Sequence, residues 1–191
     1  KFITLYIDMM HINGMSFLIS KSAHIGHHIA VAIKNKDATH FIKVIDEMRD
    51  EYVTRGGVIK HVIGDNAFRC IKPDLSKREI KFTPCVPKKH VPQAERCIRD
   101  LKNRIRFSRM LMSYKKVPKR LIIKLVKLAA KLKSSLVNAT DNIHPVMSPR
   151  QLVPGISLRL SETEIRQYVQ AHTVGTSSTE KDKERTSDAI Y

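Results

Sequence analysis

The run FITLYIDMM at residues 2–10 is apolar at nearly every position and is broken by one charge, Asp8. Apolar continuity over that length predicts a central strand covered on both faces. Asn13-Gly14 marks a tight hairpin, and MSFLIS (15–20) predicts the returning strand. HHIAVAI (27–33) predicts a third, so the chain opens as an antiparallel meander. The period then changes. Phe41, Val44, Ile45, Met48 and Tyr52 fall at helical spacing behind a candidate N-cap, Asp37. Arg55-Gly56-Gly57 closes that helix near Thr54. VIKHVIGDN (58–66) predicts a fourth strand, returned by the helix and therefore parallel to the first. REIKFTPC (78–85) predicts a short fifth strand, and the basic loop VPKKHVP (86–92) follows.

Two amphipathic helices come next. One starts at Pro92 and runs to about Met112, with Ala94, Ile98, Leu101, Ile105 and Met112 on its buried face. The other spans about Pro118 to Asn138. Leu121, Leu125, Leu128, Leu132 and Leu136 form its apolar column, and lysines crowd its other side. Pro145, Pro149 and Pro154 make 141–155 an extended exit segment, and the polar stretch 173–191 predicts a mobile tail. This order predicts an α/β fold: a mixed five-stranded sheet with helices on both faces. Residues 1–155 form one domain in this reading, and 156–191 a C-terminal extension that is largely disordered.

Charge narrows the class of partner. The 191 residues carry a formal +17, unevenly placed. Residues 156–191 hold five Lys or Arg and six Asp or Glu, so the remainder carries +18. Residues 81–133 alone hold seventeen basic and two acidic side chains. A stripe of that density attracts polyanions, of which nucleic acid is the usual one; a solvated basic face or an anionic membrane surface are the alternatives. No window offers the roughly 18 uninterrupted apolar residues of a membrane span. The opening KFITLYIDMM has neither an initiating Met nor a signal-peptide layout, and reads as a piece of a longer polypeptide. Cys70, Cys85 and Cys97 are odd in number and lack C-x-x-C spacing, which points to a reducing compartment. His24, His27 and His28, with His40 nearby, have no Cys beside them and predict exposed, partly charged imidazoles rather than a zinc site. His11, His61 and His90 lie near the acids in sequence and predict ordinary core or surface placement. Cys97 predicts a small buried apolar role.

Three carboxylates stand out. Asp8 interrupts a strand otherwise suited to full burial, and an unpaired charge there costs several kcal/mol. A salt bridge to Lys or Arg is one way to compensate it. Asp65 ends the fourth strand. If that strand lies parallel beside the first, both acids emerge near one sheet end, where their repulsion calls for a proton or a cation between them. A hard divalent ion with oxygen ligands answers that need. Glu95 falls in the first turn of the helix from Pro92, beside the buried face. Arg99, Lys102 and Arg106 follow it at plus four, plus seven and plus eleven, along the same helix side. Acids with a row of cations beside them suit phosphodiester chemistry. The Glu95–Arg99 spacing alone also fits a surface pair worth a few tenths of a kcal/mol.

The set as a whole resembles a family. Asp8, then Asp65 after fifty-six intervening residues, then Glu95 after twenty-nine, resembles the D-D-E triad of retroviral and retrotransposon integrases. HVPQAERCIRDLKNRIR is similar to the stretch of copia-type integrases in which a Pro precedes a catalytic Glu-Arg pair. IGDNAF is similar to that family's second-aspartate strand, and HPVMSPRQLVPG to its exit from the core. The resemblance covers about residues 1–155 and implies a ribonuclease H-like core. It implies Asp8, Asp65 and Glu95 as ligands of two Mg²⁺ or Mn²⁺ ions. It implies Arg99 and Lys102 as contacts to DNA ends, and 3′-end processing and strand transfer as the reaction; the basic row and the basic loop add Arg106, Lys88 and Lys89 as candidate DNA contacts. The partners implied are element ends and target duplex, other copies of the chain, and the rest of a retroelement polyprotein, with no membrane. The location implied is the nucleus, or the cytoplasm or virus-like particles of a eukaryotic cell. The second gap is shorter than the family's usual one, basic VPKKHVP replaces its Gly-rich loop, and its upstream zinc module is missing. Two other readings stay open: a non-catalytic or decayed nucleic-acid-binding domain, and a ribonuclease H-like nuclease.

Overall fold

Strict alternation along the central strand sets up two cores, one on each face of a single sheet. The computed structural model of the chain describes residues 1–85, 92–110, 112, 117–137 and 144–157, with the backbone of strands at 168–172 and 186–190. The first strand, β1 (Phe2–Ile12), places Ile3, Leu5 and Ile7 in one buried cluster and Met10 in the other. Strand β2 (Met15–Ser22) pairs with it antiparallel across the Asn13-Gly14 turn. Both turn residues have positive φ, 48° and 72°, as that hairpin requires. Strand β3 (His28–Ile33) pairs antiparallel with β2 and completes the meander.

Helix α1 (Ala38–Val53) carries the chain back across one face. The Asp37 side chain accepts from the His40 N–H at its start, and Phe41, Val44, Ile45, Met48 and Tyr52 are all buried, as the spacing predicts. Strand β4 (Val58–Gly64) then lies parallel to β1. The sheet runs β3-β2-β1-β4-β5, and β5 (Lys81–Pro84) is parallel to β4. β1 is therefore central, with α1 below it.

Residues 65–80 depart from the expectation. A 3₁₀ turn covers Asn66–Ile71 and a short helix, α2 (Lys72–Lys77), follows. The predicted strand at 78–85 shrinks to 81–84. Pro73 fits the first turn of a helix, Leu75 buries fully, and Glu79 turns the chain with φ 56°. Arg78 is withdrawn from any strand role. Its guanidinium donates to both carboxylate oxygens of Asp46 on α1, at 3.1 and 2.9 Å.

On the opposite face lie α3 (Pro92–Met110) and α4 (Lys119–Ser135). Cys97, Leu101 and Ile105 of α3 pack in one cluster with Met10, Phe17 and Ile19 of the sheet and Ile122, Val126, Ala129 and Ala130 of α4, and Ala94 of α3 is also buried. The α4 stripe is rotated from the expected leucine column. Ile122, Leu125, Val126, Ala129, Ala130 and Ser134 are buried, while Leu121, Leu128 and Leu132 are half-buried and Leu136 is exposed. Small residues decide the rotation by letting the helix approach β3. Ser134 Oγ accepts from the His28 N–H at 2.8 Å and donates to the His28 carbonyl at 3.1 Å. A single turn, α5 (Pro149–Leu152), follows, closed by a reciprocal Ser148–Gln151 capping box.

The chain divides into two compact units, Lys1–Ser157 and Leu158–Tyr191. In the second, the segments β6 (Tyr168–His172) and β7 (Thr186–Ile190) pair antiparallel. The rest of the expected tail lies outside the described residues.

Candidate active site

The register between β1 and β4 brings two of the acids level. Leu5 pairs with Val62 and Tyr6 with Ile63. Two residues further along each chain stand Asp8 and Asp65, on the face that carries α3 and α4. Gly64 is what allows the close approach. A Cβ there would sit 2.8 Å from Ile7 Cγ1 and 3.1 Å from Phe68 Cδ2, both in the opposite core. Each Asp is held by the backbone that follows it. Asp8 Oδ1 accepts from the Met9 N–H at 2.7 Å, and Asp65 Oδ1 from the Asn66 N–H at 2.6 Å, where it caps the 3₁₀ turn.

Glu95 arrives from the other side, exposed in the first turn of α3. Asp8, Asp65 and Glu95 line one open cavity of about 480 Å³, together with Met9, Ile98, Arg99, Lys102, Asn103 and Arg106. Three acids from distant segments and the three expected cations thus share one site. Lys88 and Lys89 lie outside the described residues, as does His90. Asp8 and Glu95 each have further partners, so neither stands free. Among the described residues, no group of three or more His, Cys, Asp or Glu is drawn close enough to enclose a metal ion. The donor set is nonetheless all carboxylate oxygen, which suits Mg²⁺ or Mn²⁺ in chemistry. A second cavity, of about 390 Å³, sets Glu47 and Glu51 against Lys127, Lys131 and Arg150 and contains no acid cluster of this kind.

Two histidines are placed against expectation. His24 is exposed, but His27 and His28 are 3% and 5% exposed. His27 Nε2 meets Glu51 Oε2 at 3.0 Å. His28 Nδ1 lies 3.2 Å from Cys97 Sγ, beneath the helix that carries Glu95. Burial, reinforced by Lys133 and then Lys21, holds the His28 imidazole well below its ordinary pKa of 6.5. Burial also pushes the Cys97 thiol up to about 11. The pair is therefore neutral and structural. Its sign is definite. Below pH 6.5 the unfolded His28 binds a proton that the folded one refuses, so its contribution to stability is complete above 6.5 and shrinks as pH falls. Thermal denaturation from about pH 7.5 to about 5.5 should show a steeper loss in the natural chain than in His28→Gln. Equal slopes would remove His28 as the cause. His61, by contrast, is half-buried and bonds Thr83 Oγ1 at 2.8 Å, and His11 bonds Ser16 at the surface.

No protein-family model and no curated protein matches the chain. Among solved structures it is similar to the catalytic core domain of BIV integrase, with a TM-score of 0.58 at 18% identity, over 78% of this chain and 92% of that one. The fold is that of a ribonuclease H-like integrase core. At this identity the likeness establishes the fold alone. The integrase-core fold accounts for the central β1, the parallel β4 and the helices on both faces. Asn103 also lines the cavity, four residues beyond Arg99, and helical spacing was enough to have found it. Among the described residues, no helix is long and apolar enough to cross a membrane.

Proposed function

We propose that the chain is a DNA-integrating polynucleotidyl transferase core of retroelement type, with Asp8, Asp65 and Glu95 as its metal-ligating acids. One observation carries this reading: three acids widely separated in sequence line a single cavity whose other wall is the cationic side of α3. Close carboxylates repel, and a divalent cation relieves that repulsion while leaving the acids ionised. Bound there, such ions would activate an attacking oxygen and stabilise a leaving one. The chain's own groups supply the rest. Arg99, Lys102 and Arg106 lie along one side of a single helix, where they can hold successive phosphates of a strand. Asp65 is held at a rigid turn end, so its carboxylate loses little freedom on binding.

The substrates in this reading are the 3′ ends of element DNA and a target duplex, and the resemblance of HVPQAERCIRDLKNRIR favours the copia-type branch. Further copies of the chain and other products of a retroelement polyprotein are the expected partners, and the nucleus or a virus-like particle is the expected place of action. The test is a joining assay on the full chain, with a labelled duplex end, a target duplex and Mg²⁺ or Mn²⁺. Joined products that require the metal are expected. Cutting of generic duplex without joining would indicate a nuclease instead. Metal-independent DNA retention without either product would leave only a basic binding domain.

A further inference from the structure

A lysine that the acid-based reading does not use lies buried beside the cavity. Lys21 is 8% exposed, near the end of β2. It lies on the same face of β2 as Phe17 and Ile19, the face covered by α3 and α4. Its cross-strand neighbour is Tyr6, and Ile19 is the neighbour of Asp8. Lys21 is thus the same-face diagonal neighbour of Asp8, a relation of about 7–8 Å between backbones that a long side chain spans. Its Nζ donates to Gln93 Oε1 at 2.8 Å. Gln93 is the second residue of α3 and Glu95 the fourth. Its cross-strand neighbour on β3 is His28, whose Nδ1 lies 3.2 Å from Cys97 Sγ, so Lys21 stands under the opening turns of α3.

We propose that Lys21 is a positioning residue of the acid cavity: through Gln93 it anchors the first turn of α3 and so fixes where Glu95 stands relative to Asp8 and Asp65. This rests on the integrase reading above. A buried ammonium beneath a helix N-terminus is opposed twice, by lost hydration and by the positive end of the helix dipole. A nearby carboxylate offsets both, and in this proposal Asp8, the same-face diagonal neighbour of Lys21, is the carboxylate the strand register brings within reach. The arrangement is reciprocal. Asp8 makes the buried cation tolerable, and the cation holds the acids' scaffold in register before any divalent ion binds. Pro92 fixes the first helical φ, so a single hydrogen bond accepted by Gln93 from Lys21 settles the direction of the turn. Neither residue needs to touch DNA for this role.

The test is a double-mutant cycle in the full chain with Lys21→Met, Gln93→Ala, the two combined, and the exchange Lys21→Gln with Gln93→Lys. Joining rate, the Mn²⁺ concentration for half-maximal joining and the Mn²⁺-induced rise in melting temperature are read for each. Each single variant should join at least about tenfold more slowly, since small misplacements of reacting groups carry losses of that order or more. Each should also need more Mn²⁺ and show a smaller Mn²⁺-induced rise. The double variant should be no worse than the worse single one, and the exchange should recover most of the loss. Should Lys21→Met fail to fold, Gln93→Ala and the exchange carry the test. Losses that multiply in the double variant overturn the proposal, and so do folded variants that match the natural chain in rate and Mn²⁺ response. A natural chain that joins nothing with any metal removes the integrase reading and this proposal together. A natural chain that joins while the variants match it removes only the role of Lys21.

Discussion

Replacing Asp65 with asparagine should lower the joining rate by about 10³-fold while leaving the fold intact. Metal coordination at such a site is worth several kcal/mol of transition-state stabilisation, and about 4 kcal/mol corresponds to that factor. The substitution is clean because the observed capping and the proposed metal ligation are separable. It caps the 3₁₀ turn by accepting from the Asn66 N–H, and asparagine caps about as well. What asparagine lacks is the negative charge that holds a cation. Asp8→Asn and Glu95→Gln should behave alike, since both residues line the same cavity. The expected pattern is near-normal melting and near-normal DNA retention with joining almost gone. A decrease of less than about threefold would mean that Asp65 serves only as a cap.

Phe68→Ala should have the largest effect on stability. Phe68 is 1% exposed and meets Phe41 edge to face, with ring centroids 5.2 Å apart. It reaches from the turn after Asp65 into the core under β1 and β4, so it anchors both the sheet and the turn that presents the acid. Truncating a buried phenylalanine costs about 3–5 kcal/mol, because the surrounding core closes only partly over the cavity. At about 2–4 °C per kcal/mol for a domain of this size, melting should fall by roughly 6–20 °C. A fall below about 3 °C, measured by thermal denaturation, would mean that the core reorganises around the void.

Much of this architecture is legible from hydropathy. The long apolar run of β1, broken only by the charge of Asp8, marks the central strand, and the helical stripe of α1 forces β4 to return parallel. Those two inferences bring Asp8 and Asp65 toward one sheet end when β4 lies beside β1, and the observed register, with Tyr6 beside Ile63, sets them level. The buried face of α4 was not legible. Residues 121–136 hold two adjacent apolar columns, and only Ala129, Ala130 and Ser134, which are small enough to meet β3, select between them. The short α2 escaped because KPDLSK offers one buried residue, Leu75, too few to show a period. Burial of His27 and His28 leaves no trace in composition, since it depends on Glu51, Cys97 and Ser134 arriving from other segments. Lys21 could have been found. It interrupts FLISKS as Asp8 interrupts FITLYIDMM, and a charge on the buried parity of a strand calls for a partner in either case.

Binding of a divalent ion by the three acids is best measured by titrating Mn²⁺ into the full chain and following its melting temperature, in parallel with Asp8→Asn, Asp65→Asn and Glu95→Gln. The natural chain should gain stability steadily, by about 2.7 kcal/mol at a hundredfold excess over the dissociation constant. Each variant should gain far less at the same concentrations. An equal rise in all four proteins, or no rise in the natural chain, would contradict a shared metal site.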